Sequence, residues 1–188
     1  MMAEQTSLAK VETIKIGSVG LSRLWNSDHT VLMLVPDEWA VGRTERFETV
    51  YIGPEVAQMQ LNLGLAHTTI VRGNRLTIQL LGRQVLEFLK TTYNAFELLD
   101  EREVEVADTR PGLLRTFSWT DKATSAQVVQ IMLLAADGNT LHDMTGTMAQ
   151  AAAAQYRPVM EAMLLSVQFG EAQNLPAELA ATNNAMVS

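Results

Sequence analysis

The side chains spaced for a common task in this chain are amides and hydroxyls. Gln58, Gln60 and Asn62 recur two apart, as do Thr116 and Ser118, and Thr145 and Thr147. Gln130 stands two residues from both Val128 and Met132. Period two puts each set on one face of its strand. If the sets align across a sheet, one face is polar but uncharged, with Val128 and Met132 among the amides. Such a surface can hydrogen-bond the polar groups of a docked helix while its apolar members cover Leu-type side chains. The same pattern also suits a face that is simply solvated, as half of an antiparallel sheet often is.

Covalent and acid–base chemistry find less support. The chain has no cysteine, which excludes disulfides, thiolate ligands and a thiol nucleophile. His29, His67 and His142 lie far apart, and none has a ligand-like partner two to four residues on. Asp28-His29 and His142-Asp143 are neighbours, which point apart on a strand. No Gly-x-Ser-x-Gly, His-Glu-x-x-His or phosphate-binding Gly-rich loop occurs. Glu101 and Glu103 share a strand face, but an acid–base pair needs burial to separate its two pKa values, and a solvated edge does not. We therefore expect no enzyme activity, no cofactor and no metal.

Composition narrows the partners. Of 188 residues, 14 are Lys or Arg and 21 are Asp or Glu, a net charge of −7. The pI near 4.9 disfavours nucleic acid and anionic lipid, both of which call for a basic footprint. Hydrophobic residues at 47% and charged residues at 19% describe a globular chain rather than a disordered one. The longest nearly apolar run, Val128 to Ala136, is broken by Gln130 and is far short of the ~20 residues of a membrane span. Met1 to Lys10 is polar and no export-type apolar core follows it, so a cytoplasmic protein is expected. The ten methionines suit an adaptable binding surface, although Met59, Met144, Met160 and Met163 read as core, which leaves Met132 and Met148.

The elements that would position these residues are legible in outline. Residues 1–30 read as an N-terminal extension with a short edge strand at Val11–Ile16, residues 31–170 as the folded domain, and 171–188 as a flexible tail. Strands are expected at Thr30–Val35, then at Phe47–Ile52 and Val56–Leu65 with Gly53-Pro54 as the turn between them. Leu81, Val85, Phe88, Leu89 and Thr92 share a helical stripe, which places a helix at about 79–92. The charge-rich segment Phe96 to Val106 reads as an edge strand. Strands at Leu113–Trp119, Ala126–Ala135 and Thr140–Met148 follow, the last two joined at Asp137-Gly138. Tyr156, Val159, Met160, Met163, Leu164 and Val167 form the apolar stripe of a closing helix, with Pro158 at its start or at a kink. Trp39 and Trp119 are expected in the core, and Trp25 as an anchor of the N-terminal segment. Strands flanking a central helix, with a second helix closing the chain, indicate an α+β fold with an antiparallel sheet.

The order of these elements resembles the PsbP-like fold family, which includes the DcrB and LpqN proteins and the Eag chaperones of type VI secretion effectors. Four features carry the resemblance: Pro36-Asp37-Glu38-Trp39 after a strand; the helix ending Phe88-Leu89-Lys90 before Phe96-Glu97-Leu98-Leu99; Phe117-Ser118-Trp119 with Gln127-Val128-Val129-Gln130 and Thr145-Gly146-Thr147; and a terminal helix from Tyr156-Arg157-Pro158 to Ser166-Val167-Gln168-Phe169. The resemblance implies a curved antiparallel sheet packed with helices as an αβα sandwich. It further implies a homodimeric cytoplasmic chaperone or adaptor that holds apolar helices of a secreted or membrane-active effector. The partner surface would be Gln58, Gln60, Asn62, Thr116, Ser118, Gln130, Met132, Thr145 and Thr147. The alternatives are a small-ligand binder with a pocket between sheet and helix, and an envelope lipoprotein relative.

Overall fold

Alternating and β-branched segments here pair into two antiparallel sheets, described by a computed structural model for residues 14–26, 30–69, 77–106, 109–137 and 139–170. The strands are β1 (Ile14–Ile16), β2 (Val19–Trp25), β3 (Val31–Pro36), β4 (Ala40–Gly42), β5 (Thr49–Val56) and β6 (Met59–Thr69). Helix α1 (Ile78–Thr92) follows, then β7 (Glu97–Val106), β8 (Arg110–Thr120), β9 (Gln127–Asp137) and β10 (Thr140–Ala149). A 3-10 turn (Gln150–Ala152), helix α2 (Ala153–Leu165) and β11 (Gln168–Phe169) complete the chain. The small sheet runs β1-β2-β3-β11, and the seven-stranded sheet runs β4-β5-β6-β10-β9-β8-β7. The fold is α+β, as expected, and the expected elements from β3 onward are present.

The large sheet has a layer packed on each face, and on one of them the layer is α1, over β8 and β9. Between β6 and β7 the chain crosses β10, β9 and β8, and α1 makes that crossing. Thr77 caps α1 by accepting the Leu80 N–H at 3.2 Å. Ile78 and Leu89 then pack on Leu113, Phe117, Met132 and Leu134. Gly82 makes that approach close: an added Cβ would lie 2.3 Å from Leu113 Cδ2, so the end of that side chain would have to move. Phe88, placed on the apolar stripe by spacing, is instead 63% exposed, since the buried face is set by Ile78, Gly82 and Leu89. The opposite face of the sheet carries Leu61, Leu63, Ile131, Leu133 and Met144 against the small sheet and α2. Ser166 ties α2 to that sheet, donating to the Met163 carbonyl and accepting from Leu34 N–H, both at 2.7 Å. Pro158 lies inside α2 rather than at its start, and the alanines from Ala151 to Ala154 carry the helix back to Ala153.

Two expectations need correction. Residues 14–25, read as part of a separate extension, supply β1 and β2, and Leu21 is fully buried against the core. Gly20, Ser22 and Arg23 thin the apolar pattern there, and Leu21 is the buried residue of β2. Trp25 does anchor this segment, with its ring against Gly170. The β5–β6 turn is Ala57-Gln58, not Gly53-Pro54, which sits at a register shift within β5. Residues 11–13 and 171–188 lie outside the described residues.

The turn carries a cost. Ala57 and Gln58 have φ of 52° and 62°, the two left-handed positions of a type I′ hairpin that normally hold Asn-Gly. Replacing both, Ala57→Asn with Gln58→Gly, is expected to raise stability by about 1 kcal/mol, because glycine escapes the left-handed penalty of one L-residue and asparagine tolerates that region better than alanine. Urea denaturation reads this directly, and an unchanged midpoint would contradict it.

Candidate functional site

The register decides which of the singled-out residues meet. Directly opposed residues in antiparallel strands share a face. Ile52 opposes Asn62, Asn62 opposes Thr147, Thr147 opposes Gln130, and Gln130 opposes Phe117. One row on the α1 side of the sheet therefore runs from β5 to β8. The next row holds Thr145 opposite Met132.

Within the first row Gln130 is fixed. Trp119 Nε1 donates to its Oε1 at 3.2 Å, and its Nε2 donates to Thr147 Oγ1 at 2.9 Å. Gln130 is 6% exposed, and Trp119 stacks on Tyr93 with centroids 4.5 Å apart. Asn62 and Thr147 are half-buried and Gln60 is exposed, so this row opens to solvent toward β6. Asn62 Nδ2 donates to the Gln60 carbonyl at 3.1 Å, and Gln60 Nε2 donates to the Gly53 carbonyl. Phe47 closes the other end of this half of the face by lying over Gly64, where a Cβ would come within 2.5 Å of the ring.

The remaining expected residues separate from this row. Met132 is buried beneath α1, and Thr145 is buried with its Oγ1 donating to Asp143 Oδ1 at 2.8 Å. Gln58 is in the exposed β5–β6 turn. Thr116 and Ser118 oppose Ile131 and Val129, and so point to the other face of the sheet. Parity within a strand is readable from the sequence, but the relation between strands depends on register, which a one-residue offset reverses. Ser118 instead lines a polar cleft of about 350 Å³ with Glu97, Thr120, Gln127 and Gln150. Met148 is buried in the main core, not at an interface.

Spacing also concealed two groupings of titratable side chains. His67 and His142, distant in sequence, are opposed across β6 and β10 with ring centroids 6.3 Å apart, and His67 Nδ1 lies 2.6 Å from Glu48 Oε2. His142 stacks on Phe169 at 4.4 Å. His29 lies outside the described residues. Among the described residues no group of three or more His, Asp or Glu side chains is disposed to hold a metal. Arg115 is the second case. It is 2% exposed beneath α1 and pairs with Glu101 at 2.5 Å, while Nη2 also donates to the Gly82 carbonyl at 3.0 Å. The signal for it was an arginine interrupting the apolar run Leu113 to Phe117.

Asp143 shares its strand face with Thr145 and Thr147. Burial pushes its pKa up, while the Thr145 hydroxyl and the Arg46 charge pull the other way. A raised folded-state value means the native chain holds this proton where the unfolded chain has lost it. Stability from this group is thus present at acid pH and declines as pH rises above the unfolded value near 3.8. Asp143→Asn is expected to be more stable than the parent at pH 7 and to lose that advantage at pH 3. Thermal melts at the two pH values test this; equal differences at both would contradict it.

No family model matches the chain, and no curated protein matches it in sequence. Solved structures do match in shape. Cyanobacterial PsbP from Synechocystis superposes with a TM-score of 0.58 at 11% identity, covering 82% of this chain and 95% of its own. The Ran-binding protein Mog1p of Saccharomyces cerevisiae gives 0.57 at 10% identity, covering 83% and 98%. LpqN of Mycobacterium tuberculosis, involved in cell envelope biogenesis, gives 0.55 at 9% identity, covering 81% and 91%. The fold is thus PsbP-like, at identities that carry the fold alone. No helix among the described residues is long and apolar enough to cross a membrane.

Proposed function

We propose that this chain is a non-enzymatic protein-binding module, a chaperone or adaptor that seats an apolar helix of its partner on the row Ile52, Asn62, Thr147 and Gln130. The observation that carries the reading is the fixed Gln130 amide, held from both ends by Trp119 and Thr147 in a row opening to solvent. Polar groups already oriented before binding cost little to order, and Ile52 supplies an apolar neighbour. Exposed Phe88 lies on the helix that covers β8 and β9 beside this row. Among proteins of similar shape, Mog1p is described as Ran-binding, which supports a protein partner in general terms. The narrower reading is a secreted or membrane-active effector as partner, bound in the cytoplasm by a homodimer whose assembly light scattering would read.

The test uses a photo-crosslinking residue at position 62. The chain is expected to crosslink a single partner, and Thr147→Arg is expected to reduce that product at least about tenfold by placing an unpaired charge in the interface. Arginine also removes the acceptor of the Gln130 amide, so the melting temperature is expected to fall by several degrees while the chain stays folded, which circular dichroism checks. Undiminished crosslinking in Thr147→Arg would sink the reading.

A further inference from the structure

Among the described residues, strand β7 is the longest open sheet edge. Its one sheet neighbour among the described residues is β8, whereas the other edge strands, β4, β1 and β11, have two or three residues each. After a register shift between Leu98 and Asp100, its pairing with β8 is regular through Val106. Regular pairing on one side leaves a regular ladder of N–H and C=O groups directed outward on the other.

We propose that β7 accepts an extended basic polypeptide segment by strand addition. The side chains choose the partner. Glu97, Asp100, Glu101, Glu103 and Glu105 stand on this strand against Arg102 alone. Glu101, Glu103 and Glu105 oppose Arg115, Leu113 and Pro111, so the three share the α1 face. Arg115 holds Glu101, and Gln79 donates to Glu103 at 3.1 Å without neutralising it. On the other face Arg102 is already shared between Asp100, at 2.7 Å, and Glu161. The surplus is negative, and like charges opposed across a ladder are destabilising, so a second copy of this acidic strand is disfavoured. A strand with Lys or Arg at alternate positions puts the Cβ of each basic residue about 5 Å from that of a glutamate on the same face, within reach of an ion pair. Every strand pairing among the described residues is antiparallel. An added strand in that sense brings its C-terminal end to Leu98 and Leu99, which are 38% and 46% exposed, and an apolar residue there completes the match. The surface is separate from the Asn62–Gln130 row.

The probe is a labelled peptide of alternating Lys and Thr ending in Leu, titrated into the full chain by fluorescence anisotropy. Binding is expected to weaken as salt rises from about 50 to about 300 mM. Hydrogen exchange at Asp100–Val106 is expected to slow, and exchange in α2 to stay unchanged. The same peptide N-methylated at alternate residues should bind at least about tenfold more weakly, because it cannot complete the ladder. Glu103→Lys with Glu105→Lys, both at exposed positions, should lose at least about tenfold for the Lys peptide and gain affinity for a Glu–Thr counterpart. Equal affinity of the N-methylated peptide would show charge attraction without strand addition and overturn the proposal. Unchanged affinity in the double variant, or slowed exchange elsewhere than β7, would overturn it too. Thr147→Arg should leave this affinity unaltered, which separates the result from the fate of the helix-binding reading.

Discussion

Replacing Glu101 with leucine is expected to lower folding stability by about 3 kcal/mol, a large effect for a residue on an exposed edge strand. The cause is on the neighbouring strand. Arg115 is 2% exposed, and its Nε and Nη2 reach Glu101 Oε2 at 2.8 and 2.5 Å. The other acceptor described for it is the Gly82 carbonyl, and Nη1 has no hydrogen-bond partner among the described residues. A guanidinium cannot escape burial by losing its proton. Without Glu101 the charge stays buried and uncompensated. The Glu101 side chain is 36% exposed, so water reaches the pair and holds the loss near the lower end of the range for broken buried pairs. Adding Arg115→Met to Glu101→Leu should recover most of the loss, since an apolar pair of similar volume needs no compensation. A double-mutant cycle by urea denaturation measures both. A loss below about 1 kcal/mol for Glu101→Leu alone would show that the pair is solvated in effect.

Gly82→Val is expected to cost about 2–3 kcal/mol, whereas Gly82→Ala should be near neutral. In a helix interior Gly is about 1 kcal/mol worse than Ala, so alanine gains in helix formation what it loses in contact. Its Cβ would lie 2.3 Å from Leu113 Cδ2, the movable end of a side chain, and 3.7 Å from Arg115 Nη2. Valine adds two methyl groups with one favoured rotamer and regains less helix propensity. The helix must then lift from β8, uncovering Ile78 and Leu89 and breaking the Arg115 bond to the Gly82 carbonyl. Melting temperatures of the two variants decide the matter. A Val variant as stable as the Ala variant would mean that α1 is not held at this distance by Gly82.

What the sequence made legible was periodicity within an element. The helix expected at 79–92 spans 78–92, and the charged segment from Phe96 is the edge strand β7. The Asp137-Gly138 signal joins two strands whose pairing begins at Asp137 opposite Thr140. What it could not supply was the relation between elements. Thr116 and Gln130 each follow their own strand's alternation, yet the register puts them on opposite faces. The same missing relation hid the opposed His67 and His142 and the Arg115–Glu101 pair. Gly53-Pro54 outweighed Ala57-Gln58 as a turn because residues that pay a conformational cost in a turn leave no compositional mark. Of the expected site residues, Asn62, Gln130 and Thr147 assemble into one row, and Gln60, on the same face of β6, lies outside it opposite Glu55.

The crossover from β6 through α1 to β7 has a consequence for the order in which the molecule is made. Strands β7 to β10 form a meander of successive neighbours, and β4 to β6 another, so each can close short loops first. The seam between β6 and β10 joins residues far apart along the chain, and closing it carries the larger entropic penalty. Asn62 lies on one side of that seam and Thr147 with Gln130 on the other. Neither half of the molecule contains the row alone. A nascent or partly unfolded chain thus presents no assembled row, and the recognition proposed there would double as a checkpoint for completed folding.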